Sequence, residues 1–277
     1  MKSRNLCLTI IFSVVIALLL IYHLPNNTKE LLVLRSDSLN VFALFSCHFV
    51  HEDFANHLLP NILAYFVAVL LLYWVLNMLN ERRFFYKLFA FNCLAMPFIL
   101  SLVWIGACTF WNAQTRSYGF SGITSAFLGA LIFAYVLFLH KTLKLDTCYA
   151  YLSAIFLAAL LFTLTYFTPT VTVIATAIAL LAVFGTLAYK TVKSIDPQAR
   201  NKLLEKIKNP KIAAITADLL LLSLYLVIFL LSLSLFPTQI VQGNTTVNIL
   251  IHYAGFVLGI GNAQLIWQYF HKAPVKA

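Results

Sequence analysis

The chain has 277 residues, of which 62% are hydrophobic and only 10% are charged, and its mean hydropathy is +0.89. A soluble domain averages about 25% charged residues, so this composition excludes an ordinary soluble protein and indicates an integral membrane protein. The formal net charge of +10 would suit a nucleic-acid-binding protein, but the placement of the basic residues argues against that class.

Eight apolar runs are long enough to cross a bilayer, which takes about 20 mostly apolar residues in a helix. The predicted fold is an all-α polytopic membrane protein, a single membrane-embedded domain over 1–277. The runs on either side of Pro169 are so close that they predict a helical hairpin at 147–189. The eight predicted spans are 6–24, 54–79, 88–110, 119–139, 147–168, 170–189, 212–236 and 246–270.

Lysine and arginine predict the orientation, because they concentrate in cytoplasmic segments. With a cytoplasmic N-terminus and alternating spans, 16 of the 19 basic residues are cytoplasmic, and only Lys29, Arg35 and Arg116 are not. Both termini are then cytoplasmic, and 190–211 forms a basic cytoplasmic loop. This bias explains the positive charge without nucleic acid. We expect a multi-pass protein of a prokaryotic cell membrane.

Polar residues inside spans are costly and are functional candidates by default. The first group stands in the sequence HLLPN, where His57 and Asn61 are four residues apart and share one face of a helix. Both lie in the first turns of the second span. Taken alone, an interfacial histidine and an asparagine that binds a neighbouring helix explain the pair somewhat better than function does.

The second group is YGFSGITSAFLGA, residues 118–130, which opens the fourth span. Gly119 and Gly122 surround Ser121 in a turn that leads into a helix. Gly122, Ala126 and Gly129 then form a stripe of small residues that lets another helix approach closely. Alone, this pattern also suits a serine N-cap on a packing helix.

The third group is IHYAGFVLGIG in the last span, where His252, Gly255 and Gly259 share one helix face. The two glycines form a GxxxG contact surface with the histidine at its head. Alone, this group suits helix packing with an incidental histidine equally well.

The predicted topology combines the three groups, because the second, fourth and eighth spans run in the same direction. Their polar residues then lie on one side of the membrane, and the glycine stripes bring Ser121 and His252 together. The combination predicts acyl transfer, with Ser121 as nucleophile and His252 as general base. The Ser121 backbone N–H, Asn61 and His57 would stabilise the oxyanion.

These motifs resemble those of the rhomboid intramembrane serine proteases. The resemblance rests on His57-x-x-x-Asn61, on the GxSGxxxAxxG pattern from Gly119 to Gly129, and on His252-x-x-Gly255-x-x-x-Gly259. It covers roughly 6–139 and 212–270. It implies a rhomboid-like helical bundle that cleaves transmembrane protein substrates near the outer membrane face, with the same residues in the roles given above.

The chain departs from the family pattern in several places. The family core has six spans, so two of the eight here are extra, and 212–236 is favoured as the family's fifth helix. Phe42 and Ala43 stand where many members carry a Trp-Arg pair. His51 matches an upstream family histidine but is six residues from His57, where five is common. Ser125 replaces a bulky side chain that can pack on the base.

Two other functional classes stay open. A catalytically silent rhomboid-like adaptor that binds transmembrane clients is the alternative, supported by the missing Trp-Arg pair and the extra spans. A transporter is weaker, because no repeated half with interrupted spans is visible. The expected partners are transmembrane proteins and the lipid bilayer, and the oligomeric state is left open. No cofactor or metal is predicted, and the five scattered cysteines suit small apolar fillers.

Overall fold

The computed structural model describes residues 2–38, 40–112, 115–166, 170–199, 219, 222–227, 230, 241–242, 245–246 and 249–271. In chain order, its elements are α1 (Lys2–Tyr22), α2 (Asn26–Leu32), β1 (Leu34–Arg35), α3 (Ala43–Ser46), a 3-10 turn (Cys47–Phe49), a π-helical turn (Phe54–Leu58), α4 (Leu59–Met78), α5 (Arg82–Leu94), α6 (Met96–Phe110), β2 (Arg116–Ser117), α7 (Ser121–Leu143), α8 (Thr147–Tyr166), α9 (Val171–Lys193), β3 (Val241–Gln242), β4 (Thr245–Thr246) and α10 (Ile249–His271). Residues 222–227 are also helical.

The described part of the chain contains five helices that are long and apolar enough to cross a membrane, or six if one bent pair is a single span. The protein is therefore an all-α helical membrane protein, as predicted. The five are Phe54–Met78, Ser121–Leu143, Thr147–Leu164, Val171–Lys193 and Leu250–His271. The predicted first span is present as α1, whose apolar part, Leu6–Tyr22, is shorter. Most of 212–236 lies outside the described residues.

The predicted span at 88–110 falls on two helices joined at a bend, which together are apolar and long enough to be one broken span. Helix α5 begins earlier, at Arg82, and a break at Ala95 separates it from α6, with a bend of 42° between them. Pro97 explains the break, because proline has no N–H and its ring collides with the carbonyl four residues before it. The sequence reading overlooked this proline inside an apolar run.

Helix α7 is the centre of the bundle. In its most apolar stretch, 89% of the residues are buried inside the protein, and α4 and α10 pack along it. The Tyr65 ring of α4 contacts Phe120 and Phe127 edge-on, with ring centroids 5.5 and 5.7 Å apart. At the far end of α7, Glu81 meets Lys141 at 3.6 Å and His271 at 3.4 Å. Helices α4, α7 and α10 therefore run in the same direction.

Helices α8 and α9 pack against each other, in agreement with the predicted hairpin, while the turn at Pro169 lies outside the described residues. Helix α8 contacts α7 through stacked Phe133 and Tyr151 rings, 5.4 Å apart, and α10 through Phe162 and Tyr253 rings, 5.6 Å apart. Helix α8, which follows α7 directly in the chain, therefore contacts both α7 and α10.

The helical residues 222–227, from the run favoured as the family's fifth helix, contact the hairpin side of the bundle. Ser223 hydrogen-bonds Tyr135 of α7, and Tyr225 lies 3.2 Å from the Ser153 hydroxyl of α8. The Tyr225 ring also contacts Phe184 of α9 edge-on at 5.4 Å. These contacts attach residues 222–227 to α7, α8 and α9.

The predicted basic loop at 190–211 begins later than expected, because α9 continues to Lys193. It is described as far as residue 199. The Asp196 backbone N–H donates to the Leu143 carbonyl at 3.2 Å, and the Asp146 N–H donates to the Ser194 hydroxyl at 2.8 Å. The end of α9 is therefore tied to the junction between α7 and α8.

Candidate functional site

The turn before α7 depends on Gly119, which has a positive φ of 115°. A Cβ at this position would lie 2.9 Å from His57 Nε2 and 3.0 Å from its Cε1. The Gly119 N–H donates to the Cys47 carbonyl at 3.0 Å. Both the backbone conformation and the packed His57 ring therefore require glycine here.

Ser121 is the first residue of α7, after the N-cap residue Phe120. The first N–H groups of a helix have no partner within the helix, and here the first intrahelical bond runs from the Thr124 N–H to the Phe120 carbonyl at 3.0 Å. The Ser121 side chain is partly exposed, whereas the next residues of α7 are buried. Ser121 thus combines an accessible hydroxyl with a helix N-terminus that favours negative charge.

The glycines predicted to bring two helices together lie at the contact between α7 and α10. A Cβ at Gly255 would be 2.3 Å from the Gly122 carbonyl oxygen, and a Cβ at Gly259 would be 2.2 Å from the Ala126 carbonyl oxygen. A Cβ at Gly129 would be 2.1 Å from the Phe256 carbonyl oxygen. The two backbones touch over two turns, and only glycine permits this approach.

His252 stands at the head of this contact. The preceding residue of α10, Ile251, would lie 2.6 Å from a Cβ at Gly122, and Gly255, three residues after His252, contacts Gly122. The His252 side chain is only 6% exposed. Ser121 and His252 therefore lie in the first turns of two helices that touch at Gly122 and Gly255.

Ser125, one turn further along α7, lies at the contact with α10. A Cβ at Gly255 would be 3.1 Å from the Ser125 Cβ, and the Ser125 hydroxyl donates to the Ser121 carbonyl at 2.8 Å. A bulky side chain at this position would collide with α10. The small Ser125 side chain thus permits the close contact between α7 and α10.

His57 and Asn61 lie beside the Gly119 turn, at the start of α4. Asp53 caps the π-helical turn that carries His57, by accepting from the Asn56 N–H at 2.9 Å. The Asn61 amide Nδ2 donates to the His57 carbonyl at 2.8 Å and lies 3.5 Å from His51 Nε2. One N–H of the predicted oxyanion donor Asn61 is therefore engaged with its own helix.

His51 also lies at the candidate site. The sequence indicated this histidine only through the family resemblance. It is fully buried, and its Nε2 accepts a hydrogen bond from the Phe120 N–H at 3.2 Å. Its ring contacts that of His57, with centroids 4.8 Å apart. Burial, with a smaller contribution from His57, lowers the pKa of His51 to about 3, so the ring is neutral at physiological pH.

His48 was missed by sequence reasoning. Its Nε2 lies 2.9 Å from the Pro97 carbonyl and 3.0 Å from the Ser101 hydroxyl, so it joins the loop before α4 to α6. Burial lowers the pKa of His48 to about 4, against the opposing effect of its hydrogen bonds to the backbone of Pro97 and Gly119. The available signal was clustering, because three of the seven histidines fall within residues 48–57.

The segment before Gly119 is fastened to the loop between α1 and α4 by several further contacts. Strands β1 and β2 pair antiparallel, with Leu34 opposite Ser117. The Thr115 N–H donates to the Ser36 hydroxyl at 2.9 Å, and the Tyr118 hydroxyl donates to Glu52 at 3.0 Å. The loop therefore holds in place the turn that precedes Ser121.

Within the described residues, no group of three or more His, Cys, Asp or Glu side chains is arranged to hold a metal ion. The chain matches no protein-family model, no curated protein and no solved structure. The function of the site therefore rests on the chemistry of its own residues.

Proposed function

We propose that this protein is a rhomboid-like intramembrane serine endopeptidase that cleaves transmembrane protein substrates near the outer membrane face. The observation that carries the proposal is the contact of Gly122 with both Ile251, which precedes His252, and Gly255, three residues after it. This contact supports the proposal because Gly122 follows Ser121 at the N-terminus of α7, and Ile251 precedes the buried His252 in α10. A Ser–His dyad is the simplest catalytic arrangement that these residues support.

In the proposed reaction, Ser121 Oγ attacks the carbonyl carbon of the scissile peptide bond while its proton passes to a ring nitrogen of His252. The tetrahedral intermediate collapses when His252 returns that proton to the leaving amine. The resulting acyl-enzyme is then hydrolysed by water through the same two residues. A matched serine one turn away, Ser125, takes no part, because its hydroxyl is committed to the Ser121 carbonyl.

The oxyanion would form next to the Ser121 N–H, which has no partner within α7. His57 contributes from the ring that packs on Gly119, and Asn61 contributes the amide N–H that is not held by the His57 carbonyl. Loss of one oxyanion donor typically costs about 3–4 kcal/mol of transition-state stabilisation. The proposed site thus has one backbone donor and two side-chain donors.

The test is labelling of the protein in detergent with a serine-directed fluorophosphonate, together with cleavage of single-span substrates in liposomes. We expect labelling and cleavage by the unaltered protein and by Ser125→Ala, and neither by Ser121→Ala or His252→Ala. Cleavage by Ser121→Ala at the unaltered rate would refute the nucleophile. If the unaltered protein neither labels nor cleaves, the enzyme proposal fails and a client-binding adaptor takes its place.

A further inference from the structure

The contacts of His51 require a single tautomer. A backbone N–H can only donate, so the Nε2 atom that accepts from Phe120 carries a lone pair. The proton of the neutral ring is then on Nδ1, which lies 3.4 Å from the Phe49 carbonyl, an acceptor. Both ring nitrogens therefore have partners of the matching kind, on opposite sides of the ring.

Two donors meet at the same His51 nitrogen. The Phe120 N–H is at 3.2 Å and the Asn61 amide is at 3.5 Å, but an imidazole nitrogen offers one lone pair. The shorter contact takes the lone pair, and the 3.5 Å contact is at the limit of a hydrogen bond. The second N–H of Asn61 is then close to the site without a strong partner on His51.

We propose that His51 is a positioning residue of the proposed protease site. By accepting the Phe120 N–H, it fixes the peptide that precedes Ser121 and leaves the Asn61 amide able to donate to the oxyanion. This inference rests on the proposed function. His51 is fully buried beneath the Gly119 turn, so it acts through Phe120 and Asn61 and not on the substrate.

The position of His51 separates this role from that of an ordinary core histidine. A Cβ at Gly119 would be 4.0 Å from His51 Nε2 and 2.9 Å from His57 Nε2. Both histidine rings therefore pack against the Gly119 turn. His51 Nε2 therefore touches the three parts of the site that must keep their relative positions, namely the turn, the N-terminus of α7 and the start of α4.

Two variants distinguish the effect of accepting this hydrogen bond from the effect of filling the same space. His51→Gln places an amide oxygen near the position of Nε2, whereas His51→Leu fills similar space without an acceptor. We expect His51→Leu to slow fluorophosphonate labelling of Ser121 by roughly 10–100-fold, the usual effect of losing an orienting residue. We expect His51→Gln to retain labelling within a factor of about three, and the pH midpoint of labelling to be the same in all three proteins, since His252 is the base.

Three results would overturn the role of His51. These are labelling of His51→Leu at the unaltered rate, slowing of both variants in proportion to their loss of folded protein in thermal unfolding, or a shifted pH midpoint in His51→Gln, which would assign proton transfer to His51.

A measurement independent of catalysis distinguishes this proposal from the proposed function. In ¹⁵N-labelled protein, the Phe120 amide nitrogen and His51 Nε2 should show a scalar coupling through their hydrogen bond, in both the unaltered protein and Ser121→Ala. If the coupling is present but the unaltered protein never labels, the His51–Phe120 hydrogen bond is supported and the protease proposal is refuted. If the protein labels but shows no coupling, the protease proposal is supported and the positioning role of His51 is refuted.

Discussion

Helices α7 and α9 are both apolar, both contain glycine and alanine, and both have 23 residues, yet they are used in opposite ways. In the most apolar stretch of each helix, 89% of α7 is buried inside the protein, against 6% of α9. A Cβ at Gly129 of α7 would be 2.1 Å from a backbone oxygen, whereas a Cβ at Gly185 of α9 would meet nothing within 4 Å. A small residue is a contact residue only where another backbone reaches it.

This difference matters because a bilayer provides no hydrophobic force that drives helices together. Helices in lipid associate through close packing and hydrogen bonds, and small residues let backbones approach. The contact between α7 and α10 uses carbonyl oxygens against glycine Cα atoms, a geometry that also permits weak Cα–H···O bonds. The proposed catalytic residues Ser121 and His252 lie in the first turns of the same two helices, so the proposed function depends on the glycines that also permit the packing.

The largest expected effect comes from adding one methyl group at that contact. In Gly259→Ala, the new Cβ would be 2.2 Å from the Ala126 carbonyl oxygen, so α7 and α10 must separate. We expect the free energy of unfolding to fall by about 3 kcal/mol, the upper end of typical overpacking costs, and fluorophosphonate labelling to be lost. Unfolding in a denaturing detergent measures the first effect.

Gly261→Ala is the matched control, because Gly261 lies two residues further along α10 and a Cβ there meets nothing within 4 Å. Alanine is a better helix former than glycine by about 0.5–1 kcal/mol, and both variants receive this gain. The difference between them therefore reports the contact alone. Equal unfolding free energies for Gly259→Ala and Gly261→Ala would contradict the close approach of α7 and α10.

A smaller effect is expected from acid, and it should separate the outer loop from the hairpin. Burial lowers the pKa values of His48 and His51 below that of an unfolded histidine, near 6.5. The unfolded loop then binds more protons as the pH falls, so its stability decreases from pH 6.5 downward. Each histidine should cost roughly 1 kcal/mol between pH 6.5 and 5.5.

Hydrogen exchange measured peptide by peptide checks this sign. Peptides from 43–57 should lose protection between pH 7 and pH 5.5, after correction for the intrinsic exchange rate. Peptides from α8 and α9 should keep theirs, because residues 147–193 contain no His, Asp or Glu. His51→Gln should reduce the loss in the loop. Equal acid sensitivity of loop and hairpin would show that the buried histidines are not its source.

The sequence predicted the helical class, a hairpin at 147–189 and an approach of the glycine stripes in the fourth and last spans, because hydropathy and small-residue spacing are local properties. It did not predict the break at Ala95, since Pro97 stands within a run that hydropathy alone treats as continuous. It also missed His48. That histidine lies in a loop, and its partners Pro97 and Ser101 are about 50 residues away in the sequence.

The smallest expected effect is at Gly185, and it tests the other half of the comparison. Nothing within the described structure lies within 4 Å of a Cβ at this position, so Gly185→Leu should raise the free energy of unfolding by no more than about 0.5–1 kcal/mol, the helix-propensity gain of replacing glycine. Detergent unfolding of the same preparation as Gly259→Ala measures it. Leucine in contact with lipid tails replaces one apolar surface by another, so no additional hydrophobic gain is expected. A loss of more than about 1 kcal/mol would mean that a further helix covers this face of α9 in the membrane, because a side chain can only be costly where it displaces a packed neighbour. Both α7 and α9 would then be covered by other helices, and the two would differ only in which helix covers them.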